Sequence, residues 1–153
     1  MREQTTWMVD LLSDPAVTGA VIVAAPEEMP VSETIELAQR IRAETTVDLA
    51  AVVVNKVLPE LFGRGEEEIF NALREDPARD RLAAVVGGPV DDVLEAAQLA
   101  VTLRRTRTEH LTRLRSELPA DLNLLYVPYL FTRTYGVRAT TTVAEALGAE
   151  LGY

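Results

Sequence analysis

The sequence predicts an α/β fold, a partial doubly wound parallel sheet of about three strands with a helical insertion before the last strand. Three observations carry this reading. Apolar runs at 20–25, 49–55 and 121–127 do not alternate with polar residues, the pattern of strands buried on both faces of a parallel sheet. A helical pattern at 32–44 separates the first two, giving a strand–helix–strand unit whose crossover is right-handed almost without exception. A long interval of helical pattern, 60–119, then precedes the third run.

Along the chain, 2–12 places Trp7, Met8, Leu11 and Leu12 at helical spacing, and Ser13-Asp14-Pro15 stops that helix. After the first strand, Pro26-Glu27-Glu28-Met29-Pro30 is a break. The helix at 32–44 carries Thr34, Leu37, Ala38 and Ile41 on one stripe, with Glu33 and Glu36 in its first turn, where negative charge suits the dipole. Asp48 leads into Leu49-Ala50-Ala51-Val52-Val53-Val54-Asn55, the second strand. Within the insertion, 66–75 is helical, 80–86 reads as a helix end or a short strand, and Gly87-Gly88-Pro89 is a break. No proline or glycine interrupts 90–118, where Leu94, Val101, Thr108, Leu111 and Leu118 fall near a seven-residue repeat. A helix of that length is roughly 40 Å long. Pro119 ends it, the third strand follows at 121–127, Pro128 terminates that strand, 129–138 is a loop, and 142–151 closes as a helix.

At 153 residues the chain fits one domain with a single core, and 48% hydrophobic with 25% charged residues is globular rather than disordered. Its 24 acidic and 15 basic side chains leave a net charge of −9, which argues against a nucleic-acid partner. The absence of cysteine excludes disulfides, thiolate metal sites and cysteine nucleophiles. His110 is the only histidine, so histidine metal sites are excluded and a Ser-His-Asp triad is disfavoured. The first ten residues lack the basic-then-apolar pattern of a signal peptide. The apolar runs at 19–26 and 49–55 fall far short of the roughly 20 residues that span a bilayer. The expectation is a cytoplasmic chain with no membrane insertion.

Open parallel sheets bind ligands at the carboxyl ends of their strands. Here those ends carry Pro26-Glu27-Glu28-Met29-Pro30, Asn55-Lys56-Val57 and Pro128-Tyr129. No strand is followed by G-x-x-x-x-G-K-[ST] or G-x-G-x-x-G, the loops that cradle phosphates. Three strongly apolar strands also leave two unpaired edges, a liability natural sheets usually cover. The chain reads as half of a larger fold.

Two segments carry a resemblance: Pro26-Glu27-Glu28-Met29-Pro30-Val31-Ser32-Glu33-Thr34, and after a helix Val52-Val53-Val54-Asn55-Lys56-Val57-Leu58-Pro59. Together they resemble the second half of the arsenite/anion-transporting ATPases, a family that includes the arsenical-pump-driving ATPases and those that target tail-anchored membrane proteins. Val127-Pro128-Tyr129 is compatible with the same family's last strand, while 60–119 matches only as helical and variable. The resemblance implies a P-loop NTPase-like half from an ATPase that uses ATP and Mg²⁺ and works as a dimer or as a pseudodimer of two halves. It implies that Asn55 hydrogen-bonds adenine, whose donor and acceptor edges one amide can meet together. It places Pro128, Tyr129, Leu130 and Phe131 over the base and Lys56 and Val57 in the lining.

The family's phosphate loop, catalytic Asp and switch segment are all missing from these residues. The expectation is therefore a carboxy-terminal piece spanning 1–153, with no catalytic or metal-binding residue of its own and no hydrolysis on its own. Its partner is the missing amino-terminal half or a paired ATPase subunit. Arsenite needs soft thiolate ligands, which this chain lacks, so arsenite handling does not follow from the resemblance.

Each signal has a plainer account. Asn55 is also a common turn residue. Glu27 and Glu28 are adjacent and rarely converge on one atom, so a solvated turn is the simpler account, and Glu33 and Thr34 suit a helix start. Tyr129 and Phe131 also read as core aromatics. His110 and the arginines from Arg104 onward read as a solvated helix face or as partners for Glu66-Glu67-Glu68. The alternative function is a non-enzymatic interaction module, with the long helix forming part of an apolar client groove on an α/β scaffold.

Overall fold

The computed structural model describes residues 2–63, 65–132, 134 and 136–153, with side chains described from Thr5 onward. The elements in order are α1 (Arg2–Ser13), β1 (Gly19–Ala24), α2 (Glu28–Glu44), β2 (Asp48–Val57), α3 (Glu66–Leu73), α4 (Ala78–Val86), α5 (Asp91–Glu117), β3 (Asn123–Pro128) and α6 (Val137–Leu151). The fold is α/β with a small, open parallel sheet. The described residues divide into a sheet unit, 1–58 with 107–153, and a helical unit, 59–106, the boundary falling inside α5.

In the sheet unit the strand order is β1-β2-β3, all parallel. Ile22 pairs with Val52 and Ala24 with Val54 on one side, and Val52 pairs with Leu124 and Val54 with Tyr126 on the other. Gly19 is required where β1 meets β2, since a Cβ there would lie 2.9 Å from the Ala50 Cβ. Val52 and Val54 are wholly buried beneath Val31, Ile35 and Ala38 of α2, Leu114 of α5 and Leu118 just past its end. Polar contacts secure the same layer. Arg113 donates to Ser32 Oγ at 3.0 Å and to Glu117 Oε1 at 2.8 Å, and Arg115 donates to the Tyr126 hydroxyl at 3.2 Å.

Burial of the strands on both faces does not hold for β1. Successive side chains of a strand point to opposite faces, and on the far face α6 packs on β3. There Val127 is 3% exposed, while Val21 and Val23 on β1 are 52% and 63% exposed. In α1 the stripe of Trp7, Met8 and Leu12 is likewise exposed.

Helix limits depart from expectation in three places. α2 begins at Glu28, with Pro30 inside its first turn. The first N–H groups of a helix have no intrahelical acceptor, so proline there forfeits nothing. Glu28, not Glu33 or Glu36, is therefore the first-turn acid. The 80–86 segment is helical as part of α4, ended by Gly87 in a left-handed conformation at φ 78°. α6 starts at Val137 rather than 142, and its threonines are accommodated inside it, their hydroxyls donating to carbonyls four residues back. The 129–138 loop is thereby shortened, and its Arg133 and Tyr135 lie outside the described residues.

The helical unit has its own core of Phe70, Val90 and Leu94, with Phe62 and Phe70 stacked at 4.7 Å between ring centroids. Arg74 donates to Gln98 Oε1 at 2.7 Å, and Arg105 pairs with Glu67. No helix among the described residues is long and apolar enough to cross a membrane.

Leu114, at 0% exposure, is the test of this core. Leu114→Ala should lower unfolding free energy by about 2–5 kcal/mol in urea titration, whereas Val23→Thr, on the bare face, should change it by less than about 0.5 kcal/mol.

Candidate functional site

The carboxyl ends of β2 and β3 lie side by side, and the register shifts between Val54 and Val57, which pairs with Pro128. The shift is made at Lys56, whose φ of 60° is left-handed. A residue with a Cβ incurs roughly 1–2 kcal/mol for that conformation. The turn is secured on both sides. The Lys56 N–H donates to Asn55 Oδ1 at 2.8 Å, and the Tyr129 N–H donates to the Val57 carbonyl at 2.8 Å.

Beside this turn is a cavity of about 310 Å³ lined by Asn55, Lys56, Val127, Pro128, Tyr129 and Leu130, with Ala139, Thr140 and Val143 of α6 as its other wall. Asn55 commits one lone pair of Oδ1 to the Lys56 N–H, which fixes its amide plane. That leaves Nδ2 and the second Oδ1 lone pair for another partner. The remaining wall is largely apolar, so the cavity is a slot with one polar edge.

The residues singled out from the sequence are distributed unevenly. Asn55, Lys56, Pro128, Tyr129 and Leu130 meet in the slot. Val57 instead packs against the core of the sheet unit. Phe131 is 74% exposed, tilted against Tyr129 at 4.8 Å between centroids, and lines an adjoining cavity of about 250 Å³ with Thr132, Thr134 and Arg138. The α6 wall escapes sequence reasoning because Thr140-Thr141-Thr142 is a poor helix signal. Ala139 and Val143, four apart, become legible once the helix is known to start at Val137.

Arg107 of α5 reaches the same turn. Its Nη2 donates to Glu27 Oε1 at 3.1 Å and its Nη1 lies 3.5 Å from the Lys56 carbonyl. Its side chain is 17% exposed, so it is no solvated arginine, and Glu27 is an ion-pair partner rather than part of a free turn.

Glycine at position 56 would relieve the left-handed conformation while losing about 0.5–1 kcal/mol to its greater unfolded freedom. Lys56→Gly should therefore stabilise the chain by up to about 1 kcal/mol, and Lys56→Val should destabilise it, both read from thermal unfolding.

No curated protein matches the sequence. Residues 1–79, just over half of the chain, match the family model of the anion-transporting ATPases. That segment runs from α1 through α3 to the start of α4 and contains Asn55 and Lys56, while Pro128, Tyr129, Leu130 and Phe131 lie beyond it. With its parallel α/β sheet and a slot at the carboxyl ends of β2 and β3, the chain belongs to the anion-transporting ATPase family.

Proposed function

We propose that this chain supplies the adenine side of the ATP site in an anion-transporting ATPase. Asn55 reads the base, Lys56 backs it, and Pro128, Tyr129 and Leu130 cover it. The supporting observation is the convergence of Asn55 with Pro128, Tyr129 and Leu130 on one slot. A flat heteroaromatic ring suits its apolar walls, and the donor and second acceptor of the Asn55 amide, unpaired among the described residues, suit the edge of adenine. The slot's roughly 310 Å³ lies near the lower limit of about 300–1,000 Å³ for small-molecule sites, room for a base more than for a whole nucleoside triphosphate.

The phosphates and Mg²⁺ fall to residues outside these. The sequence has no phosphate loop, and the described residues hold no group of three or more carboxylates or histidines suited to a metal ion. Phosphoryl transfer depends on cations and backbone donors placed around the γ-phosphate. In this reading the chain is the carboxy-terminal, base-binding part and does not hydrolyse ATP alone.

The phosphate-binding part is a second polypeptide segment or ATPase subunit that docks on β1. Two features support that surface: β1 is an edge strand, and its far face carries exposed Val21 and Val23.

Calorimetric titration with Mg-ATP, with phosphate release followed in the same samples, tests the proposal. The expected outcome is binding in the millimolar range, about −4 kcal/mol, and no turnover. Micromolar binding with turnover would mean that these residues contain the phosphate machinery, and the proposal would fall. Once the phosphate-binding part is supplied, Asn55→Ala should lose about 1–3 kcal/mol of nucleotide affinity. Unchanged affinity would remove Asn55 from the site.

A further inference from the structure

Two departures from ordinary protein geometry sit together at the slot. One is the left-handed backbone of Lys56, at φ 60°. The other is Arg107 Nε, a buried nitrogen that has no hydrogen-bond partner among the described residues. Buried donors are nearly always paired, and left-handed backbone is uncommon outside glycine, asparagine and aspartate. Local rules broken side by side are a mark of functional positions in proteins whose other elements obey them.

The two are in contact. Arg107 Nη1 lies 3.5 Å from the carbonyl of Lys56, and Nη2 is 3.1 Å from Glu27 Oε1. Glu27 is the residue before α2, just past the end of β1. One guanidinium therefore spans the carboxyl ends of two strands, gripping the backbone of β2 at the residue where its register shifts. The N–H of that same residue fixes the Asn55 amide. The fork of a guanidinium suits two divergent acceptors in a way that a lysine ammonium, a single point charge, does not.

We propose that Arg107 is a positioning residue for the slot. It holds the Lys56 turn at its carbonyl so that the Lys56 N–H keeps the Asn55 amide aimed into the cavity, and Glu27 sets the orientation of the guanidinium. The assignment of the turn to base binding rests on the reading of Asn55 given above, while the hold of Arg107 on the turn stands on geometry alone.

Residue-resolved amide hydrogen exchange on the full chain separates the two. Arg107→Ala should speed exchange at the Lys56 and Tyr129 amides at least ten-fold while leaving those of Val52 and Val54 at the wild-type rate. Arg107→Lys, which keeps the charge facing Glu27 and is the milder change if the alanine variant does not fold, should give the same local effect without full rescue. Acceleration spread evenly over β2, no change at Lys56, or full rescue by lysine would overturn the proposal, because each describes an arginine that only stabilises the unit. The second arm titrates millimolar AMP by NMR. Arg107→Ala and Asn55→Ala should weaken the shifts at Thr140 by similar factors, and the double variant should lose no more than either alone. If AMP leaves the wild-type spectrum unchanged, the base-binding reading fails, and the exchange arm still decides whether Arg107 holds the turn.

Discussion

β2 is paired on both sides, and the sheet unit depends on it. Val52 and Val54 are wholly buried at its centre, each held between a neighbour on β1 and one on β3 and covered by α2 and α5. Parallel neighbours cannot be joined by a tight hairpin, so each connection must cross over through a helix. That requirement places α2 between β1 and β2 and the longer helical excursion between β2 and β3. The face that these crossovers cover becomes the core, and the face they miss stays bare at Val21 and Val23.

Where β2 ends, regularity gives way to constraint. The run of valines would continue the ladder, yet the chain turns left-handed at Lys56 and resumes pairing at Val57 opposite Pro128. Proline has no N–H to donate, so a strand is best interrupted beside one. The next donor, from Tyr129, finds the Val57 carbonyl instead. This exchange brings Asn55 level with Pro128, Tyr129 and Leu130 and opens the slot that α6 closes from the other side. The polar edge of the slot is thus a by-product of how two parallel strands stop.

Charge follows a similar logic. With a net charge of −9, arginines on α5 find acidic or carbonyl partners more readily than open solvent does justice to. Arg113, Arg115 and Arg107 reach Glu117, Tyr126 and Glu27 in the sheet unit, and Arg105 reaches Glu67 in the helical unit. Most of these pairs are exposed and contribute little energy each. Arg107 differs by its burial, since a guanidinium drawn out of water must be held in place by its partners.

Much of this was legible in the sequence itself. Non-alternating apolar runs located three parallel strands, helical periodicity located α2, α3 and α5, and the segments around Glu27 and Asn55 pointed to the family. These signals are local, set by the period of a strand or helix and by residue types at fixed spacing. Only the tertiary structure decided that β1 keeps one face bare, that Ala139, Thr140 and Val143 wall the slot while Phe131 lies outside it, and that Arg107 reaches the Lys56 backbone 51 residues away in sequence. Those features depend on which elements lie over one another, and on backbone angles such as that of Lys56, which neither periodicity nor propensity encodes.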